Sequence, residues 1–407
     1  MPMNTFSFSQ AATVLNGIVK QATGRETIQA ITTPQDFVSV AQTALLNGAD
    51  PVLNAISQMW SRTIFANRDY RAPLDSLMMD LPRYGNATRK ISPVAMDMVN
   101  DSRYEWPVAY DAVNHQANAL GNGESVDMYK INKQDALQTN FYGTAVYEQD
   151  YTIFRDQFDS AFRDADEFAR FNAMMMTERQ NDRETYRQNV ARALQANYIG
   201  GIIKEGQESR VVHLLTEYKA QTGLDDLTAQ TIYQPENFAP FMRWVYARIK
   251  TISRMMAERS QLYQTVINGK PILRHTSADN LRIALFAPAM AQMEAMVLSD
   301  TYNDNYLKYA TFDAVNFWQS IETPDSIAIN PVYTGTNGAV VTSAEETEQA
   351  GIFGVLHDRD ALGYAAVNDW NSVTPFNSKG GYWNEHYHST FKTISDMTEK
   401  GVVLLLD

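Results

Sequence analysis

A pair of histidines in the run Glu385–His388 is the clearest candidate for chemistry in this sequence. On a β-strand, side chains two residues apart point to the same face, so His386 and His388 could bind one metal ion together. His357 or Asp358 could supply a third ligand from a neighbouring strand. A metal-dependent hydrolase is one hypothesis that follows. Because a zinc site needs three or four convergent ligands, and packing in an aromatic stretch explains two histidines equally well, we assign no metal ligand.

Two other groups of residues could take part in chemistry. Asp300, Asp304 and Asp313 lie in an acidic, tyrosine-rich stretch where a carboxylate pair could hydrolyse a glycosidic bond. No spacing rule selects a pair among them, which favours a solvated loop after a helix. The run Met174–Met176 is more typical of a helix core or an interface than of a cofactor site.

The absence of known catalytic motifs points the same way. The 407 residues include no cysteine, which excludes disulfides, thiolate metal sites and a cysteine nucleophile. The sequence contains no GxxxxGKS/T loop, no GxGxxG after a predicted strand, no HExxH and no GxSxG. We therefore predict no catalytic, cofactor-binding or metal-binding residue, no cofactor and no enzymatic activity.

Composition describes a folded protein with an acidic surface. Hydrophobic residues make up 44% and charged residues 20% of the chain, and the net charge is −13. This charge argues against a protein that reads DNA sequence. Residues 1–90 carry eight basic and six acidic side chains, so this part could face DNA non-specifically, although a statistical fluctuation explains the excess as well. The first charged residue is Lys20, so a basic signal region is missing, and Leu281–Leu298 is too short and too charged to span a bilayer.

The N-terminal part reads as an arm made of short helices. Residues 4–65 contain three helical patterns, one that Ser9 can cap, one that begins near Pro34 and one that begins near Asp50. Breakers separate them, and they are too few to form a domain. We expect their apolar faces to pack on the main body or on a neighbouring chain.

Residues 84–156 change to a strand pattern. Candidate strands alternate with breakers such as Gly121 and Gly123, and the strands are Ile91–Val99, Tyr104–Tyr110, Glu124–Lys130 and Phe141–Phe154. Long strands with little to cover them indicate an extended β arm. A lone hairpin is marginal in water, so the arm would need a partner to be ordered.

The rest of the chain mixes helices and strands. Residues 157–198 form the strongest helical pattern, which we expect to stop at Gly200 and Gly201. Further predicted helices are Pro240–Tyr263 and Pro288–Ser299, and Gly335–Gln349 reads as an exposed loop. Predicted strands are Arg282–Phe286, Val315–Ile321, Ser326–Ile329, Ile352–Leu356 and Val402–Leu406. The last of these is almost purely aliphatic, so it must lie centrally in a sheet and be covered on both faces.

Three runs near the C-terminus carry a resemblance to a known family. They read DRDALG, TPFNSKGGYWNEHYH and EKGVVLLL, and begin at Asp358, Thr374 and Glu399. Their order resembles the closing segment of the Hong Kong 97 capsid fold, as it occurs in major capsid proteins of tailed phages with Gram-positive hosts. The likeness is best over roughly the last fifty residues. None of these runs binds a ligand, so the resemblance implies a family and no site.

The resemblance implies an α+β, Hong Kong 97-like fold in four parts. These are an N-terminal arm (1–83), an extended β-hairpin arm over the adjacent subunit (84–156), a peripheral domain with a long spine helix (157–213 and 351–407) and a central axial domain (214–350). Glycines at positions 121, 123, 200 and 201 could act as hinges that let one chain occupy slightly different environments.

The function implied is that of a structural major capsid protein. Copies would assemble into hexamers and pentamers of an icosahedral head around double-stranded DNA, in the virion, after assembly in the bacterial cytoplasm. Partners would be other copies of itself, scaffolding, portal and decoration proteins, and DNA through non-specific contacts; no membrane partner is expected. Alternatives are the hydrolase with His386 and His388, or another virion subunit such as a tail or surface-array protein.

Some members of the family resembled join their subunits through a bond between lysine and asparagine. Lys90, Lys130 and Lys133 lie in or beside the predicted β arm. Nothing in the sequence selects one of them for this reaction, so we interpret all three as ordinary surface lysines.

Overall fold

A computed structural model describes residues 8–23, 31–46, 74–79, 81, 87–96, 128–129, 131–156, 165–291 and 311–407. Five α-helices lie entirely within those residues, and they are α1 (Phe8–Thr23), α2 (Pro34–Leu46), α3 (Ala165–Glu205), α4 (Leu214–Thr222) and α5 (Pro235–Ala257). Short 3-10 helices cover Asp75–Leu77, Glu208–Arg210 and Thr231–Tyr233. No helix in the described part of the chain is long and apolar enough to cross a membrane.

Fourteen strands of the described residues pair into five sheets. The first seven are β1 (Thr88–Pro93), β2 (Ala136–Phe141), β3 (Gly143–Phe154), β4 (Val211–His213), β5 (Leu281–Phe286), β6 (Thr311–Val315) and β7 (Ile327–Ile329). The others are β8 (Val332–Thr334), β9 (Val340–Thr342), β10 (Thr347–Gln349), β11 (Ile352–Asp358), β12 (Leu362–Val373), β13 (Tyr382–Ser395) and β14 (Gly401–Leu405). The larger sheets have the orders β4-β14-β11-β5-β6 and β12-β13-β3, and the pairs are β1-β2, β7-β10 and β8-β9.

The five-stranded sheet is the centre of the fold, and β14 lies inside it. All residues of β11 and β14 are buried, and β14 pairs with β11 on one side and with β4 on the other. Successive side chains of a strand face opposite sides. Accordingly, Val402 and Leu404 pack in the cluster that includes α5, whereas Val403 and Leu405 pack in the cluster that includes the C-terminal half of α3. The prediction of a central final strand covered on both faces is confirmed.

Helix α3 runs through the two glycines that were expected to stop it. It extends to Glu205, and both Gly200 and Gly201 are buried within it. A Cβ on Gly200 would lie 3.2 Å from Ile329, and one on Gly201 would lie 3.0 Å from Tyr333. The glycines therefore allow strands β7 and β8 to approach the helix closely. The prediction that they stop the helix was wrong, because glycine serves here for close packing.

The bounds of α5 also differ from the predicted Pro240–Tyr263. The helix begins at Pro235, a favoured residue for the first helical position, and Pro240 lies inside it. It ends at Ala257, and Tyr263 has a φ of 68°, which is incompatible with a right-handed helix. The apolar face of the helix packs in the core, where Phe241 and Ile252 are buried.

The N-terminal helices pack on the body of the same chain. In α1 the side chains of Leu15 and Ile18 are buried, as is Phe37 in α2. Both helices contact α3 and each other. The predicted helix that begins near Asp50 lies outside the described residues.

The segment predicted as one β arm divides into two sheets. Strands β1 and β2 form an antiparallel ribbon, whereas β3 pairs along its whole length with β13 near the C-terminus. The predicted strand at Tyr104–Tyr110, nearly all of Glu124–Lys130, and the glycines at 121 and 123 lie outside the described residues.

The loop predicted at Gly335–Gln349 contains regular structure. Strands β8 and β9 form a hairpin whose turn includes Gly338 with a φ of 77°, and β10 pairs with β7. The predicted strand Val315–Ile321 was displaced, since β6 ends at Val315. The predicted helix Pro288–Ser299 is described only as far as residue 291, where it is helical.

Candidate functional site

The two histidines of β13 lie on the outer face of the three-stranded sheet. His386 is directly opposite Asp150 of β3, and His388 is opposite Glu148. The His386 Nδ1 atom lies 2.6 Å from Asp150 Oδ1 and 3.6 Å from Glu148 Oε1, and His388 Nε2 lies 3.7 Å from the same Glu148 oxygen. The prediction that the histidines share a face is confirmed, and two carboxylates lie on the same face.

The carboxylates are not those expected from the sequence. His357 and Asp358 belong to β11 in the other large sheet, where His357 Nδ1 lies 2.8 Å from the backbone oxygen of Asp358. The Asp358 carboxylate accepts a hydrogen bond from Thr276 at 2.6 Å. Burial lowers the pKa of His357 to about 4. These two residues serve the core of the five-stranded sheet, so their predicted part in a histidine site was wrong.

The inner face of the same sheet carries a buried ion pair. The Arg179 guanidinium of α3 lies 2.6 Å from a Glu385 carboxylate oxygen, and both side chains are almost fully buried. Arg179 also lies over the Tyr151 ring at 4.2 Å. Since Tyr151 belongs to β3 and Glu385 to β13, one arginine fastens the long helix to two strands.

A second arginine of α3 repeats this arrangement one helical turn further on. The Arg183 guanidinium lies 3.3 Å from the centre of the Tyr387 ring. Burial raises the pKa of Tyr387 and outweighs the opposite effect of the neighbouring Arg183, so that the pKa is about 12. Tyr387 is therefore a neutral packing residue at physiological pH, and the contact is a cation–π interaction.

Lys90 is the anchor of the β1-β2 ribbon. Its ammonium group lies 2.8 Å from Asp396 and 2.5 Å from Glu399, two carboxylates in the turn between β13 and β14. Arg274 lies 3.2 Å from the same Glu399 carboxylate. Burial alone would lower the pKa of Lys90, but the two carboxylates outweigh this effect and raise it. The interpretation of Lys90 as an ordinary surface lysine was wrong, because its partners lie about 300 residues away in the sequence.

The remaining candidates do not gather into a site among the described residues. Asp313 lies on β6. Burial raises its pKa and outweighs the hydrogen bond from Ser76, which acts in the opposite direction. Asp300, Asp304 and Lys130 are outside the described residues, and Lys133 is exposed. Residues 174–176 lie within α3, as predicted, but their side chains are not described.

The arrangement of helices and sheets is similar to that of chains in solved phage structures. A capsid structure of Staphylococcus phage Andhra matches with a TM-score of 0.52 and 10% identity, over 84% of this chain and 86% of that one. A chain in a structure described as the head fiber and inner core protein gp22 of native bacteriophage P68 matches with a TM-score of 0.51 and 11% identity, over 83% and 86% of the two chains. At these identities the likeness shows the fold.

The family follows from the sequence itself. The profile of the Phi29-like phage major capsid protein family matches residues 15–399, and the chain belongs to this family. No curated protein sequence matches the chain. The chain is thus a structural capsid protein of a bacteriophage virion, as the resemblance at its C-terminus predicted, and the hydrolase hypothesis is not favoured.

Proposed function

We propose that copies of this chain close into an icosahedral, Hong Kong 97-like head, as hexamers and pentamers around double-stranded DNA. The role as a capsid subunit follows from the family, and the geometry of the shell is the proposal. The observation that carries it is apolar surface on and beside the β1-β2 ribbon that one chain leaves uncovered. A closed shell supplies large interfaces on every side of a subunit, and these would cover it.

The ribbon has the properties of an arm that docks on a neighbour. Ile91 is 68% exposed, Ile131 is 90% exposed and Tyr142 is 70% exposed. A two-stranded ribbon is at best marginally stable in water, and apolar side chains on its surface mark an interaction site. Lys90, in the middle of β1, fixes the ribbon to the turn at Asp396 and Glu399, and the Ala95 N–H donates a hydrogen bond to the Pro271 oxygen of the same chain. The ribbon would therefore be held on its own subunit while its exposed apolar side chains meet the adjacent one.

The division of the chain into parts remains part of the proposal. Residues 1–83 and 84–156 would form the two arms, 157–213 with 351–407 the peripheral domain, and 214–350 the axial domain. Helix α3 has the length of a spine helix, with 41 residues. The peripheral and axial parts would share the five-stranded sheet, since β5 pairs with β11. Strand β3, the last part of the 84–156 arm, would attach this arm to the peripheral part, because it pairs with β13.

The partners follow from the same reasoning. Scaffolding, portal and decoration proteins would meet the shell during assembly in the bacterial cytoplasm. Contacts with DNA would be electrostatic and non-specific, through the slightly basic N-terminal region, because the net charge of the chain is −13. We expect the chain to have no catalytic activity of its own.

Electron microscopy of the purified chain, with and without a crowding agent, tests the shell. Closed polyhedra, or rings of five and six subunits, are expected, whereas rods or flat lattices alone would contradict an icosahedral head. The ribbon is tested with Ile91→Asp, which adds a charge to its exposed face, and with Leu224→Asp as the control. Leu224 is also exposed, at 49%, but lies in the turn after α4. Loss of shells in the ribbon variant alone is expected; equal assembly of both variants would contradict the docking arm.

A further inference from the structure

Three potential metal-binding residues meet on the outer face of the three-stranded sheet, and they are Glu148, Asp150 and His386. Donor atoms of Glu148, Asp150 and His386 all lie within 4.8 Å of one another. His388 adjoins this set, with its Nε2 atom 3.7 Å from the Glu148 oxygen. We refer to these four residues as the His–carboxylate cluster.

The spacing of the Glu148, Asp150 and His386 atoms is close to that around a small divalent ion, whereas His388 lies outside this group and would have to move closer to join it. Bonds of about 2.1 Å in a tetrahedron place neighbouring donors about 3.4 Å apart. The separations of 3.6 Å and 3.7 Å between the Glu148 oxygen and the two imidazoles are close to this edge length. The contact between His386 and Asp150, at 2.6 Å, is shorter and would open by less than about 1 Å to admit the ion.

The backbone fixes the positions of the donors. Each histidine lies directly across from a carboxylate in an antiparallel pair, so the four side chains share one face by the register of β3 and β13. The Trp370 ring of β12 stacks on His388 at 3.9 Å with an interplanar angle of 17° and so orients that imidazole. On the opposite face, the buried Glu385 holds β13 against α3. The cluster is thus supported from three strands and a helix.

The chemistry of the donors selects the class of ion. Two imidazoles with two carboxylates are a ligand set for Zn²⁺ and similar transition metals, whereas Mg²⁺ and Ca²⁺ favour oxygen ligands. We propose that the His–carboxylate cluster binds one divalent transition-metal ion of the Zn²⁺ type. The ion would join β3, which follows the ribbon, to β13. Because the chain has no cysteine, the metal ion would take the place of a disulfide as a cross-link. Neither the capsid role nor the proposed shell geometry requires such an ion.

The test is titration of the full-length, unassembled chain with ZnCl₂, followed by calorimetry. One ion per chain is expected for the wild type, with no measurable heat from MgCl₂. His386→Ala and Asp150→Asn should each weaken Zn²⁺ binding at least 10-fold. His213→Ala is the matched control, because His213 also lies 2.8 Å from a carboxylate, that of Asp407, at a different place on the surface. The control should bind as the wild type does, and circular dichroism establishes that every variant is folded.

A further readout separates this site from random surface binding. Co²⁺ in place of Zn²⁺ should give visible absorption bands of a tetrahedral site in the wild type and not in His386→Ala. A wild type that binds no Zn²⁺, or variants at His386 and Asp150 that bind it as tightly as the control does, would overturn the proposal.

Discussion

The ion pair between Arg179 and Glu385 should contribute strongly to the stability of the contact between the three-stranded sheet and α3. The two side chains are 5% and 1% exposed and their charged atoms are 2.6 Å apart. Removing one member of such a pair leaves a buried charge without its counter-charge, which typically costs about 3–5 kcal/mol. We expect Glu385→Gln, which keeps the shape and removes the charge, to destabilise the sheet by about 3 kcal/mol.

Hydrogen exchange followed by mass spectrometry can measure this effect locally. A loss of about 3 kcal/mol in the free energy of opening corresponds to roughly 100-fold faster exchange of the β13 amides. Amides of β11 and β14, in the other sheet, should change much less. Glu345→Gln is the control, because Glu345 also pairs with a cation of α3, Lys204, at 3.3 Å, but is 85% exposed. It should change exchange by about twofold at most.

The double variant Arg179→Met/Glu385→Gln shows whether the effect comes from the pair. Replacing both charges removes the buried arginine together with its partner, so much of the lost protection should return. The reasoning is refuted if Glu385→Gln exchanges less than about fivefold faster than the wild type in β13, or if the double variant loses as much as the sum of the two single variants.

Two other substitutions test buried charges elsewhere. Lys90→Met leaves Asp396 and Glu399 without their lysine and should lower the free energy of unfolding by about 2–3 kcal/mol, measured by urea titration; a change below about 0.5 kcal/mol would contradict the anchor. His357 has a folded pKa of about 4 against an unfolded value near 6.5, so the folded chain binds fewer protons between these values and loses stability as the pH falls. The total loss by pH 4 is about 3 kcal/mol. Between pH 7 and pH 4, the free energy of unfolding of His357→Gln should therefore fall by about 3 kcal/mol less than that of the wild type. An equal pH dependence in both chains would count against this explanation.

The parts of the fold that were predictable are those in which local pattern decides the outcome. The run of aliphatic residues at Val402 left no position for β14 other than the middle of a sheet, and that is where it lies. The second N-terminal helical pattern was predicted to begin near Pro34, and α2 begins at that residue. In both cases the side chains that determine the element are within the element.

The parts that were missed depend on pairs of residues far apart in the sequence. Nothing near His386 indicates that Asp150 lies opposite it, because the two residues are 236 positions apart in the sequence. Lys90 likewise finds its carboxylates about 300 residues away. Gly200 and Gly201 have the composition of a helix stop, and only the approach of β7 and β8 shows that they serve packing. Local sequence patterns therefore do not predict features that depend on tertiary contacts.

The central place of β14 has a consequence for the synthesis of the chain. Val211 of β4 pairs with Val403, about 190 residues later, so the five-stranded sheet cannot close until the ribosome has released residues 401–405. At a bacterial translation rate of about 5–20 residues per second, β4 waits roughly 10–40 s for its partner. During that interval the core faces of α3 and α5 lack their cover, as does aliphatic β11 once it has been synthesised, which exposes the nascent chain to aggregation and makes it a client for chaperones. A subunit that is cut short before β14 would never complete this sheet, and so could not enter a shell as a folded competitor.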